Sequence, residues 1–152
     1  MASAYIDGLK MLGRRELSEA QIRQRLARKE HDPESIDEAV ERLRAERAID
    51  DVRVAEAIAR TETSIRRRGR LRVRLQIERA GIAKAIARRA VDEVFGALDP
   101  EAHIEAALNK RLRGRTAIAD DREFQRLYRY LTAQGFESDQ VMKVLNVLRP
   151  RR

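Results

Sequence analysis

The chain has 152 residues, with 33 basic and 25 acidic side chains and a net charge of +8. This length allows one ordinary domain or a short array of smaller units, and a hydrophobic share of 43% excludes a disordered chain. The lack of cysteine excludes disulfide scaffolds and Cys-ligated metal sites. The sequence contains no run of about eighteen apolar residues, so we expect no membrane-spanning helix, and we also expect no signal peptide.

Signals for helix starts and ends follow one another along the chain, and no segment alternates with the period of a strand. The predicted starts are the capping-box pairs Ser18 with Gln21 and Asp120 with Glu123, and the caps before proline at Asp32-Pro33 and Asp99-Pro100. The predicted left-handed helix ends are Gly81, Gly96 and Gly135. The helices are therefore predicted over residues 5–13, 18–30, 33–47, 51–68, 70–80, 83–96, 100–113, 121–134 and 138–148.

Five apolar residues recur with successive gaps of 4, 10, 4 and 3 residues in each third of the chain. The three sets are Ile22, Leu26, Ile36, Val40 and Leu43; Val73, Ile77, Ala87, Val91 and Val94; and Leu127, Leu131, Val141, Leu145 and Leu148. We therefore predict an all-α fold, an elongated array of three tandem three-helix repeats over residues 1–49, 50–98 and 99–152, because units this small bury their apolar faces by stacking. An irregular bundle with accidental spacing is the alternative.

Charge is unevenly distributed along the chain. The net charge is −2 for residues 1–51, +6 for residues 52–99 and +4 for residues 100–152. This distribution favours polyanionic partners for the second and third repeats. Most of the positive charges are arginines, which bind phosphate in bidentate fashion better than lysine does, although a GC-rich genome also favours arginine.

Three stretches carry a family resemblance. Residues 48–82, AIDDVRVAEAIARTETSIRRRGRLRVRLQIERAGI, resemble the signature of the RecX regulatory proteins, in which a Leu-Asn-Asp-x-x-Phe-Ala pattern precedes a basic helix and a closing Gly-Ile. Residues 9–29, LKMLGRRELSEAQIRQRLARK, are similar to the opening of that family, and residues 127–145, LYRYLTAQGFESDQVMKVL, are similar to its last repeat.

Two residues depart from the family pattern. Val54 replaces a usual aromatic and Glu30 replaces a turn glycine, and we expect both to loosen the junction between the first and second repeats.

The resemblance implies a three-repeat modular fold in a cytoplasmic protein that binds RecA recombinase filaments and restrains strand exchange, ATP hydrolysis and coprotease activity. Its expected partners are the RecA filament and single-stranded DNA, with double-stranded DNA as a further candidate, and no membrane. Because no sustained heptad seam indicates a coiled-coil dimer, we expect a monomer.

The sharpest local feature is RRRGRLRVR at residues 66–74. We define the arginine cluster by its six members, Arg66, Arg67, Arg68, Arg70, Arg72 and Arg74. A single-sign cluster of this density indicates a phosphate-binding patch, and a solvated helix face is the alternative. The predicted extensions of the patch are Arg88 and Arg89, together with a second basic helix end at Lys110, Arg111, Arg113 and Arg115.

Two tyrosines have different expected roles. Tyr128 lies one turn from Phe124 and is predicted to pack with it, whereas Tyr130 projects away and is a candidate for stacking a base.

An enzyme is not expected, because His31 and His103 are far apart in the sequence and no phosphate-cradling loop or His-Glu-x-x-His pair occurs. We expect no cofactor. The alternatives to a filament regulator are a general basic DNA- or RNA-binding helical module and a helical adaptor with solvated arginines.

Overall fold

The structure, a computed structural model, describes residues 2–150. Within these residues the chain forms nine α-helices and one π-helical turn, and it contains no strand. The helices are α1 (Ala4–Arg14), α2 (Glu19–Arg28), α3 (Pro33–Ala45), α4 (Asp51–Arg60), α5 (Arg70–Arg79), α6 (Lys84–Gly96), α7 (Pro100–Leu112), α8 (Asp121–Ala133) and α9 (Ser138–Val147). The predicted all-α class is therefore confirmed.

The apolar side chains form three separate cores, one for each group of three helices. The first core draws on α1 to α3, the second on α4 to α6 and the third on α7 to α9. Leu26, Ile77 and Leu131, the second residue of each recurring set, are fully buried, and each lies on the middle helix of its group. The chain is thus the predicted array of three-helix repeats. The exact boundaries at residues 49/50 and 98/99 stay predictions, and Met1, Arg151 and Arg152 lie outside the described residues.

Local hydrogen bonds explain most helix starts. Ser18 and Gln21 form a complete capping box at α2, and Asp32 and Asp99 cap the helices that begin with proline. Asp120 caps α8 by accepting from the backbone N–H of Glu123, but the predicted capping box is only half formed, because the Glu123 carboxylate accepts from Arg115 and from the N–H of Ala119 instead. These are the positions that the sequence predicts, because a cap depends on residues within one turn of each other.

The predicted helix ends are confirmed in part. Gly81 and Gly135 adopt left-handed backbone conformations with φ of +81° and +97°. The prediction for Gly96 is wrong, since Gly96 is the last helical residue of α6. A left-handed helix end that the sequence does not predict occurs after α7, where Arg113 adopts this conformation and Gly114 follows it.

The predicted helix 51–68 is interrupted. It leaves the α-helical path after α4 and forms a π-helical turn over Thr61–Ile65, a deviation that is common near functional sites. Glu62 within this turn is buried, and its carboxylate accepts a 2.7 Å hydrogen bond from the guanidinium of Arg68. The ion pair holds the chain between α4 and α5 against the second repeat.

The junction between the first and second repeats is built at the start of α2. The Ser18 hydroxyl donates to the carbonyl oxygen of Ala80 at the end of α5, and the backbone N–H of Glu19 donates to Asp51 over 2.9 Å. Gly81 approaches this helix start so closely that an added Cβ would lie within 3.0 Å of the Ala20 side chain. Asp51 therefore belongs to the junction, whereas its neighbour Asp50 caps α4.

The second and third repeats meet in the same way. The start of α5 faces the turn after α8, where Gly69 N–H donates to Gln134 O over 2.8 Å and Leu71 N–H donates to Gly135 O over 3.1 Å. A Cβ at Gly135 would lie within 3.0 Å of the Arg72 backbone. In both junctions, the turn after a middle helix packs on the start of the preceding middle helix.

This geometry overturns the expectation for Glu30. Glu30 takes the same left-handed turn, with φ of +66°, but its side chain is exposed and it takes no part in the junction between the first two repeats. That junction is formed by Gly81, Ser18 and Ala20 instead. Val54, the other departure, is buried in the second core.

Candidate polyanion-binding surfaces

Two members of the arginine cluster take part in contacts between the second and third repeats. Arg68 pairs with buried Glu62, and its carbonyl oxygen accepts a 2.9 Å hydrogen bond from Nε2 of His103 in the third repeat. Arg72 donates to the carbonyl oxygen of Ala133 over 3.4 Å, also across the junction between the second and third repeats. The sequence gives no sign of these contacts across the junction, because His103 and Ala133 are distant from Arg68 and Arg72 along the chain.

The remaining four members differ in how far their charge is already neutralised. Arg70 pairs with Asp92 on α6, and Arg74 pairs with Glu78 one turn along α5 at 3.3 Å. Arg66 lies 3.8 Å from Glu62, whose carboxylate is closer to Arg68. Arg67 has no ion pair among the described residues. Among these four, Arg66 and Arg67 are exposed and carry the least neutralised charge.

The two predicted extensions on α6 diverge from each other. Arg88 lies one helical turn from Asp92, the residue that pairs with Arg70, so Arg88 and Asp92 share a face of α6. Arg89 lines a separate cavity of about 420 Å³ together with Glu56 and Glu93. Helical spacing thus puts Arg88 on the side of α6 that carries Asp92, whereas Arg89 belongs to the separate cavity.

The second basic helix end forms a groove in the third repeat. The third-repeat groove has a volume of about 840 Å³ and brings together the four predicted cations with three further polar or aromatic residues and Leu127. Its lining residues are Lys110, Arg111, Arg113, Arg115, Glu123, Arg126, Leu127 and Tyr130. Basic side chains along an open groove are the pattern that tracks a nucleic-acid backbone.

One acidic residue orders the groove. Glu123 accepts two hydrogen bonds from the guanidinium of Arg115, at 2.8 and 2.7 Å, and a third from the backbone N–H of Ala119 at 2.9 Å. Chiefly because Arg115 donates to it, the pKa of Glu123 falls from 4.5 to about 2. The same pair raises the pKa of Arg115. Arg115 is thus held in place, while Lys110, Arg111 and Arg113 are exposed without an ion pair within residues 2–150.

The expected contrast between the two tyrosines holds only in part, because both are half-buried and both pack against the third core. Tyr128 packs against the third core, which contains Phe124. Tyr130 is half-buried at the groove, where the guanidinium carbon of Arg111 lies 3.9 Å from the ring centroid. This cation–π contact occupies a face of the ring that the base-stacking hypothesis requires, so a base would have to displace Arg111 or stack on it.

Comparison with known proteins identifies the family. The family model for "RecX, first three-helix domain" matches residues 4–43, and that for "RecX, third three-helix domain" matches residues 99–145. The chain belongs to the RecX family. "Regulatory protein RecX" of Syntrophotalea carbinolica is 33% identical over 141 residues, which cover 89% of each chain. The Halorhodospira halophila protein of the same name is 32% identical over 134 residues, covering 88% of this chain and 80% of that one.

Solved RecX structures share the fold. The RecX of Lactobacillus salivarius superimposes with a TM-score of 0.77 at 18% identity, covering 95% of this chain and 94% of that chain. A second structure of regulatory protein RecX gives a TM-score of 0.76 at 23% identity, covering 95% of this chain and 70% of that chain. The family resemblance read from the three sequence stretches is confirmed, and with it a RecX regulatory role.

The two histidines have structural partners in this RecX protein. His31 Nε2 lies 2.6 Å from the carboxylate of Asp7, and that hydrogen bond lowers the pKa of Asp7. His103 packs edge-on against Phe95 and Phe136 while donating to the Arg68 carbonyl. Across residues 2–150, no group of three or more His, Asp or Glu side chains is arranged to hold a metal ion, and no helix is long and apolar enough to cross a bilayer.

Proposed function

We propose that this RecX protein is a non-enzymatic regulator that binds RecA–single-stranded DNA filaments and inhibits their strand exchange, ATP hydrolysis and coprotease activity. The observation that carries the proposal is the family relation, which spans 89% of both chains at 33% identity. The expected setting is the cytoplasm, during homologous recombination, DNA repair and the SOS response, with the protein acting as a monomer.

The distribution of charge supports a division of labour among the repeats. The third-repeat groove offers three exposed cations without ion pairs, and the arginine cluster offers Arg66 and Arg67, so the second and third repeats suit DNA or an acidic protein surface. Residues 1–51 have a net charge of −2 and suit a basic patch on the recombinase.

The test separates filament regulation from simple DNA binding. RecA-driven strand exchange is measured with the RecX protein below the concentration of RecA, at a salt concentration that abolishes its binding to naked DNA. A filament regulator still inhibits under these conditions, because its contacts with the recombinase remain. If inhibition disappears together with naked-DNA binding, the protein competes for DNA alone and the proposal is wrong.

The alternative is a general basic helical module that binds DNA or RNA without a recombinase partner. The third-repeat groove favours this alternative on its own, because exposed cations beside an aromatic ring bind single strands without any protein partner. The salt-controlled experiment decides between the two functions, since only a filament regulator inhibits where naked DNA is not bound.

A further inference from the structure

A cleft between the first and second repeats contains three convergent arginines, two of which lie outside every basic surface described above. Arg15 follows α1, Arg79 ends α5, and Arg66 follows the π-helical turn. All three are exposed and line one cleft of about 390 Å³. We call this the junction cleft. Arg15 and Arg79 have no ion pair within residues 2–150.

The carboxylates of the junction cleft are already engaged by arginines. Glu16 pairs with Arg53 of α4, and buried Glu62 pairs with Arg68 at 2.7 Å. Arg53 is held in turn by the backbone carbonyl of Arg47, to which it donates over 3.0 Å. The negative charge in the cleft is therefore largely neutralised, while two arginine charges remain unpaired.

The uncharged polar groups of the cleft also favour an acceptor-rich ligand. Gln21 uses its side-chain oxygen to accept from the Ser18 backbone N–H at 2.9 Å, which leaves its amide nitrogen free to donate. Gln76 and Thr61 line the same cleft with further donor groups. A ligand that brings many acceptors and negative charge fits this lining, and phosphate groups have both properties.

We propose that the junction cleft binds the phosphodiester backbone of single-stranded nucleic acid through Arg15, Arg66 and Arg79. The proposal rests on the nucleic-acid part of the proposed function and extends that surface into the first repeat. Arg66 connects the cleft with the exposed Arg67, so a strand bound in the cleft continues directly onto the arginine cluster. The first repeat thus contributes a DNA contact of its own.

A nucleic-acid strand fits the cleft better than an acidic peptide does. Every nucleotide of a single strand carries a phosphate, so successive phosphates can occupy several guanidinium groups at once, whereas a peptide supplies such a run of charge only where its acidic residues are consecutive. The donor groups of Gln21 and Gln76 can in addition contact base edges or sugars beside the phosphates. Binding of an acidic protein segment is the competing outcome, and the experiment has a separate readout for it.

The experiment uses the full chain and a fluorescein-labelled oligo-dT probe, with affinity measured by anisotropy over a series of salt concentrations. The test variant is Arg15→Gln/Arg79→Gln. The matched control is Arg28→Gln/Arg122→Gln, which removes two charges from exposed arginines that lie outside the cleft and have no ion pair within residues 2–150. A third variant, Arg15→Lys/Arg79→Lys, keeps the charge but loses bidentate geometry. Circular dichroism confirms that all variants remain folded.

We expect the glutamine pair to weaken oligo-dT binding by at least about tenfold near 0.1 M salt and to reduce the salt slope by about 1.4, since each lost phosphate contact removes about 0.7. The control pair should change affinity much less, because charges distant from the strand are screened. The lysine pair should restore the slope but only part of the affinity.

Three outcomes would overturn the proposal. One is that the wild-type chain does not bind oligo-dT, and another is that the glutamine pair binds it as well as the control pair does. The third is that the glutamine pair still binds oligo-dT but no longer inhibits RecA-driven strand exchange, which would assign the cleft to an acidic protein surface. If the wild-type chain binds oligo-dT through the cleft but does not inhibit RecA, the proposed function fails while the cleft assignment stands.

Discussion

The backbone N–H of Gly69 donates a 2.8 Å hydrogen bond to the carbonyl oxygen of Gln134, and this contact joins the second repeat to the third. The Ser18 hydroxyl and the Ala80 carbonyl make the corresponding contact between the first and second repeats. Ser18 and Gly69 both immediately precede a middle helix, and Ala80 and Gln134 both follow one. The array is therefore assembled by one contact used twice, with a side-chain donor in one case and a backbone donor in the other.

The first prediction concerns the turn glycine of the second junction. Gly135→Ala should lower the free energy of unfolding by about 3 kcal/mol, because alanine is strained at positive φ and its Cβ must also displace the Arg72 backbone. Gly114→Ala is the matched control. Gly114 has a similar φ of +84° with open space around it, so its substitution should cost only about 1 kcal/mol of backbone strain.

Chemical denaturation of the two variants measures this difference. If Gly135→Ala and Gly114→Ala are equally destabilised, the turn after α8 can move away from α5 at little cost. That result would contradict a tightly fitted junction.

The second prediction concerns the separate cores. Leu131→Ala should cost about 2–5 kcal/mol, because Leu131 is fully buried and truncation leaves a cavity. Since its core contains only residues of the third repeat, the damage should concentrate there and in the adjoining second repeat. Hydrogen exchange or protease mapping provides the measurement, and equal loosening of the first repeat would contradict a linear array.

The third prediction separates structural from exposed arginines within the arginine cluster. Arg68→Gln should destabilise the fold by about 3 kcal/mol, because it leaves the buried carboxylate of Glu62 without its nearest partner. Arg67→Gln should change stability by less than about 0.5 kcal/mol, since Arg67 is exposed and unpaired within the described residues. Thermal unfolding compares the two, and similar stabilities would show that the Glu62 pair contributes little.

The sequence predicted the helices and cores well because their signals are local. Capping by Asp32 and burial of Leu26 depend on residues within a few turns of each other. The sequence predicts the candidate binding surfaces less completely. The roles of Arg68 and Arg72 depend on His103 and Ala133, which meet them only after the repeats have packed. The sequence does not predict the junction cleft for the same reason, since no local pattern connects arginines from different repeats.

The fourth prediction concerns pH. Because the pKa of Glu123 is lowered to about 2 in the folded chain, the unfolded state takes up its proton first as the pH falls. The contribution of Glu123 is therefore fully present above pH 4.5, the ordinary pKa, and is lost as the pH falls toward about 2. Glu123→Gln should be less stable at neutral pH and should lose less stability across this range than the wild type, as followed by denaturation at a series of pH values.

The fifth prediction uses the same residue to test the third-repeat groove. Glu123→Gln removes the one carboxylate among the groove's lining residues and releases Arg115 from its bidentate pair. If the groove binds a single strand, affinity for oligo-dT should rise severalfold at neutral pH and the salt slope should increase by about 0.7 for one added contact. Unchanged affinity in a folded variant would remove the groove from the binding surface.

The left-handed turn at Glu30 has a consequence for self-association. In both junctions the position corresponding to Glu30 is a glycine, and a Cβ there would collide with the neighbouring middle helix. A second copy that tried to place the start of its own middle helix on the Glu30 turn would meet such a Cβ. This one side chain therefore disfavours end-on stacking of identical chains at this end. Such stacking produces open fibres when it does not close into a ring.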